Sequence, residues 1–165
     1  MTKESSQLNL YPDKIPQRKL KELIESGVDI GALCSQSKRP LLITDIHEVF
    51  PSLAQWSPEF LQEKVGDKIV EVNTSETDVF QEYHRPIRMS MKEYSDEMTS
   101  ETPKAGRRLY LGALGINQSF PELKSEILFD ALLPQERLGL KYLWYGRGGN
   151  TTGLHYDTSE NFFMQ

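Results

Sequence analysis

The chain has 165 residues, 38% of them hydrophobic and 26% charged, enough for one domain with its own core and too few for two full-sized ones. No run approaches the roughly 20 apolar residues of a spanning helix, and the apolar share excludes a mostly disordered chain. A net charge of -5, from 24 acidic and 19 basic residues, supplies no general positive field for nucleic acid.

Residues 1–14 are polar and read as a loose N-terminal arm. The segment MTKESSQLNL has no apolar stretch of the signal-peptide kind. Pro16 opens a helical pattern with Leu20, Leu23 and Ile24 on one face, and Gly27 stops it. The only cysteine, Cys34, has no partner for an internal disulfide and reads as a free buried thiol in a reducing compartment. Leu41 to Ile46, after Pro40, reads as a short buried strand. Ser57-Pro58-Glu59 is a helix start, with a hydroxyl N-cap followed by proline and an acid in the first turn. That helix carries Phe60, Leu61 and Val65 and ends at Gly66.

Ile69, Val70 and Val72 form the next strand. Residues 74–88 show no period and read as a surface excursion. Ser90 and Glu93 have capping-box spacing, which predicts a helix from Met91 to about Met98. Residues 99–106 are a polar loop, and Leu109-Tyr110-Leu111 a strand. Ser119, Pro121 and Glu122 start a helix through Ile127, Leu128 and Leu132 that Pro134 closes. Strands are then expected at Leu140–Tyr145, at Thr151–Asp157 and at Asn161–Gln165, with a glycine-rich turn at Gly146–Asn150. Trp56 and Trp144 read as core anchors. The N-x-S/T triplets at Asn73, Asn117 and Asn150 read as chance.

The chemistry-bearing stretch is Thr152-Gly153-Leu154-His155-Tyr156-Asp157. In a strand, positions i and i+2 share a face, so His155 and Asp157 would present an imidazole and a carboxylate together. Those are two ligands of a 2-His-1-carboxylate iron site. The same spacing also describes a polar pair at a strand end, with His155 bonded to a backbone carbonyl. His47 and His84 read as surface or satisfied histidines rather than a third ligand. C-x-x-C, H-E-x-x-H, P-loop and G-x-S-x-G motifs do not occur.

The run Leu143-Trp144-Tyr145-Gly146, then Gly149 through Asp157, then Asn161-Phe162-Phe163-Met164-Gln165, resembles the cupin-like branch of the Jumonji-C family. These are the Fe(II)- and 2-oxoglutarate-dependent oxygenases, and the likeness is to the asparaginyl-hydroxylase type. Looser matches lie at Arg39–Asp45, at Leu53, Trp56-Ser57 and Leu61 to Asp67, at Met89–Met91 and at Arg108–Leu111.

The resemblance implies a mixed α+β fold, with helices and strands leading into a double-stranded β-helix (cupin or jelly-roll) core over residues 15–165. It implies His155 and Asp157 as iron ligands, and Thr152 and Tyr110 as hydroxyls that hold the far carboxylate of 2-oxoglutarate. Asn161 and Phe163 would line the pocket. The family's third ligand, a later histidine, and a lysine for the far carboxylate have no counterpart in these 165 residues. The expectation is therefore an incomplete cupin-like domain, related to a hydroxylase and inactive as written. A non-catalytic cupin-like binding module and a cupin enzyme with another metal are the rival readings. The implied substrate is a protein or peptide, with nucleic acid disfavoured by charge and no membrane partner. The implied location is intracellular, cytoplasmic or nuclear, and the intact protein could be a homodimer.

Overall fold

The computed structural model describes residues 15–37, 40–80, 86–102, 106–126, 132–155, 157–158 and 161–162. The chain divides into two units, Met1–Val49 and Phe50–Gln165. The expected arm at 1–14 lies outside the described residues.

In the first unit, β1 (Gln17–Lys19) is followed by α1 (Leu20–Glu25), α2 (Ile30–Gln36), β2 (Leu42–Thr44) and α3 (Ile46–Val49). β1 and β2 pair in parallel, with Arg18 opposite Ile43. The residues after Pro16 are thus a strand, and the helix starts only at Leu20. The reason is a distant cap: Asp45 accepts the Leu20 N–H at 2.7 Å from the other end of the unit. Asp45 adopts a left-handed backbone, φ 57°, to make that reach. Gly27, at φ 66°, stops α1 as expected. The sequence reading passed over α2, although its Asp29 N-cap accepts the Ala32 N–H at 2.8 Å.

The second unit begins with a 3-10 turn at Pro51–Gln55 and α4 (Pro58–Val65). β3 (Ile69–Ser75), β4 (Val79–Phe80), β5 (Ile87–Ser90) and α5 (Met91–Thr99) follow. After β6 (Arg108–Gly115) and α6 (Ile116–Ser119) come 3-10 turns at Pro121–Glu126 and Gln135–Arg137. β7 (Tyr142–Gly146) and β8 (Thr151–Thr152) are the last strands described. Ser119, expected to start a helix, instead ends α6; the stretch after it is a 3-10 turn as far as Glu126, and residues 127–131 are outside the described set.

β5, β3, β6 and β7 form one antiparallel sheet in that order, and β4 pairs in parallel with β8. This is the expected mixed α+β architecture, with an antiparallel sheet consistent with a cupin or jelly-roll-like domain.

Period-2 alternation gives the sheet two unlike faces. Val70, Val72, Leu109 and Leu111 are buried under Leu61 and Val65 of α4 and Met91 and Tyr94 of α5. Phe120 and Leu123 extend this core. Each such side chain contributes about 1.5–3 kcal/mol on burial. α4 starts as the sequence predicts, the Ser57 hydroxyl accepting the Phe60 N–H at 3.2 Å. The other face carries Glu71, Asn73, Arg108, Tyr110, Gly112 and Trp144, and it is here that the candidate site lies. Trp144 is 48% exposed and is not a core anchor. Its neighbours Leu143 and Tyr145 take the core side, and alternation turns Trp144 outward. Trp56 does pack on the core, its ring 5.7 Å from that of Phe60. No helix among the described residues is long and apolar enough to cross a membrane.

Candidate functional site

Tyr110 is the centre of the open face. Its ring lies 5.2 Å from Phe80 and 6.2 Å from Trp144, centroid to centroid. Two glycines let these rings lie against the sheet. A Cβ on Gly146 would stand 2.7 Å from Tyr110 Cδ2, and one on Gly112 would stand 3.3 Å from Tyr110 Cε1 and 3.4 Å from Trp144 Cζ3. Bulk at either position would push the phenol off its place.

Thr152 is brought over Tyr110 by β8. Its register partner in β4 is Phe80, the residue that also packs on the Tyr110 ring. The Thr151 N–H donates to Asp78 O at 2.7 Å, and the Asp78 carboxylate pairs with Arg108 of β6. The preceding turn is tied to the same strand, Asn150 Nδ2 donating to Leu109 O at 3.2 Å. Arg147 donates to Ser100 O, and Gly149 supplies the left-handed residue, φ 89°. These ties hold Thr152 beside Phe80, whose ring packs on Tyr110. Burial raises the Tyr110 pKa, and the nearby Thr152 hydroxyl partly offsets that rise.

The H-x-D segment is less regular than expected. The strand ends at Thr152, and the described residues from Gly153 to Asp157 are not in strand, so alternation does not set how His155 and Asp157 are placed. Both are exposed. His155 Nδ1 lies 2.9 Å from Gly153 O. A carbonyl only accepts, so Nδ1 carries the proton and Nε2 keeps its lone pair for a metal or a proton. The Asp157 carboxylate accepts from Asn161 Nδ2. A ligating histidine is commonly fixed by such a bond from its other nitrogen, and a ligating carboxylate by a neighbouring donor. The donor set of one imidazole and one carboxylate fits Fe(II) chemistry. Among the described residues, no group of three or more His, Cys, Asp or Glu side chains could hold a metal ion.

Of the residues expected at the site, Tyr110 and Thr152 meet at Phe80, and Asp157 joins Asn161. Phe163 lies outside the described residues, as do Tyr156 and His84, and the expected strand at Asn161–Gln165 is described only at Asn161 and Phe162, neither in strand. His47 is exposed on α3. Sequence reasoning missed Phe80, which sits in the stretch without period. It misread Trp144, although alternation with Leu143 and Tyr145 carried the signal. A groove of about 570 Å³ near the 147–150 turn is lined by Glu97, Arg107, Arg108 and Arg147 among others, and holds none of the expected site residues.

A family model of the cupin-like domain matches residues 32–165. The chain belongs to the cupin-like domain family. It is of the JmjC type, in keeping with the Jumonji-C resemblance of its closing residues. A curated relative is lysine-specific demethylase 8 of Danio rerio, 25% identical over 138 residues. The match covers 78% of this chain and 32% of the relative, so this cupin-like chain spans about a third of that protein's length.

Proposed function

We propose that this cupin-like domain is an Fe(II)- and 2-oxoglutarate-dependent oxygenase that hydroxylates a side chain of a protein or peptide. The observation that carries the reading is that the fold brings Thr152 and Tyr110 together at Phe80, the register partner of Thr152 and the ring neighbour of Tyr110. The family resemblance assigns both residues to one carboxylate, and they come from segments far apart in the sequence. The free Nε2 of His155 and the Asp157 carboxylate support it on the metal side. A relative named as a demethylase is in keeping with a protein substrate.

In this reading His155 Nε2 and an Asp157 oxygen bind the metal. Asn161 orients the carboxylate and, with Phe163, lines the pocket. Tyr110 and Thr152 hold the far carboxylate of 2-oxoglutarate through charge-assisted hydrogen bonds. Phe80 and Trp144 wall the pocket and exclude water. The bound metal with 2-oxoglutarate supplies oxidative decarboxylation coupled to hydroxylation of a substrate C–H bond.

The test is oxygen-dependent release of succinate from 2-oxoglutarate by the full-length protein, with His155→Ala and Asp157→Ala as variants. Both side chains are exposed, so both variants should stay within about 0.5 kcal/mol of wild-type stability while losing turnover and Mn(II) binding. Turnover that survives either change would overturn the ligand assignment. A wild type that binds neither metal nor 2-oxoglutarate would overturn the oxygenase reading in favour of a binding module.

A further inference from the structure

Two arginines of the second unit have no acidic partner. Arg107 is exposed and its guanidinium makes no hydrogen bond or ion pair among the described residues. Arg147 donates to Ser100 O and meets no carboxylate among the described residues. A guanidinium carries five N–H donors in a planar fork, so both keep most of theirs unused. Both line the groove of about 570 Å³ beside the 147–150 turn. Arg108 lines it too, but is already paired with Asp78.

The groove is not uniformly basic. Glu97 and Glu101 also line it, and Glu101 is exposed with no partner among the described residues. Met98 adds apolar surface. This mixture opposes a nucleic-acid strand, in which every unit carries the same negative charge. It is complementary to a peptide in which an acidic side chain stands beside a basic one, their stems lying on Met98.

The place of the groove adds a constraint. The turn that lines it runs on through β8 to His155. Asn150 and His155 are five residues apart, a reach of at most about 17 Å. An extended peptide covers that distance in about five residues.

We propose that this groove docks the peptide substrate, with an acidic side chain on Arg107 and Arg147, a basic neighbour on Glu101, and the reacting residue within about half a dozen positions of that pair. This rests on the reading of His155 and Asp157 as the centre of a protein or peptide hydroxylase.

The experiment passes a synthetic library of random dodecapeptides over the immobilised full-length protein with Mn(II) and 2-oxoglutarate, and sequences what is retained. Wild type should enrich Asp or Glu beside Lys or Arg by up to about fivefold, the range of an exposed ion pair. Arg107→Glu should move the preference at the acidic position to Lys or Arg. Arg18→Glu, the same charge change on exposed β1 of the first unit, should leave the wild-type preference. With Fe(II), 2-oxoglutarate and oxygen, mass spectrometry should place the added oxygen within about half a dozen residues of the charged pair. Retention without charge preference, or a preference that survives Arg107→Glu, would overturn the docking groove. So would retention of a single-stranded oligonucleotide but of no peptide. In each case oxygen-dependent succinate release by wild type would still uphold the oxygenase reading. Charge-selective retention that Arg107→Glu reverses, with no succinate released, would sink the oxygenase reading and leave the groove as a peptide-binding surface.

Discussion

The Tyr94 hydroxyl accepts the backbone N–H of Leu111 at 2.9 Å. It also donates to the Tyr145 carbonyl at 2.5 Å. Leu111 and Tyr145 are register partners across β6 and β7. A side chain of α5 is thus inserted between two strands where a ladder bond would run, and the pairing becomes irregular between Leu111 and Leu114. The same strands carry Tyr110 and Trp144 on the opposite face, so this phenol sets the sheet from which the site is built.

Tyr94→Phe keeps the ring in the core and removes both bonds, leaving a buried N–H and a carbonyl without a partner. At about 1–3 kcal/mol for each unsatisfied group, the expected loss is about 3 kcal/mol. Urea unfolding should show a lower midpoint with an unchanged slope.

Tyr94 also gives the protein an alkaline limit. Burial raises its pKa above the ordinary value near 10, so the folded state holds the phenolic proton more tightly than the unfolded state. The contribution is complete below pH 10 and is lost as pH rises toward the folded value. Above pH 10 the unfolded state binds fewer protons, and stability should fall by up to about 1.4 kcal/mol per pH unit from this group. Denaturant titrations between pH 8 and 11.5 should find that fall shallower in Tyr94→Phe.

The capping box that starts α5 is formed on both sides. Ser90 Oγ accepts the Glu93 N–H at 3.1 Å, and Glu93 Oε2 accepts the Ser90 N–H at 2.8 Å. Ser90→Ala should cost about 1 kcal/mol in thermal or urea unfolding. Hydrogen bonds from Ser90 hold the Glu93 carboxyl below its usual range. Its contribution is present above the ordinary carboxylate pKa and lost as pH falls through the depressed value. The acid limb of the stability curve should therefore be shallower in Ser90→Ala than in wild type.

Gly146→Ala places a methyl 2.7 Å from both Tyr110 Cδ2 and Asn150 Nδ2. Relief requires moving the phenol away from Thr152 or loosening the turn. The expected cost is about 1–3 kcal/mol, together with weaker 2-oxoglutarate binding. Gly148 has open space where its Cβ would be, so Gly148→Ala in the same turn should change neither. Thermal melts and ligand titration of the two variants side by side check the contrast.

Local patterns in the sequence determined a good part of this protein. Ser57-Pro58-Glu59 and Ser90 with Glu93 marked two helix starts, because a cap is made by residues three apart in the chain. Short apolar and aromatic runs marked the strands around Val70, Leu109 and Leu143. The family of the chain was legible in its closing residues, where spacing and residue type coincide over a long run. Other features needed the folded chain. Asp45 capping Leu20, and Tyr94 bridging Leu111 and Tyr145, join segments that no local window holds together.

The site divides along the same line. His155 and Asp157 were visible as chemistry, but their expected strand ends at Thr152 and their partners are Gly153 and Asn161. That Tyr110 packs on Phe80 and Trp144, with Thr152 paired to that Phe80 and Asn73 alongside, was decided by strand order and register alone. A sequence states which side chains alternate along one strand. Which strand lies alongside, and in what register, is fixed by the burial of Val70, Val72, Leu109 and Leu111 under α4 and α5.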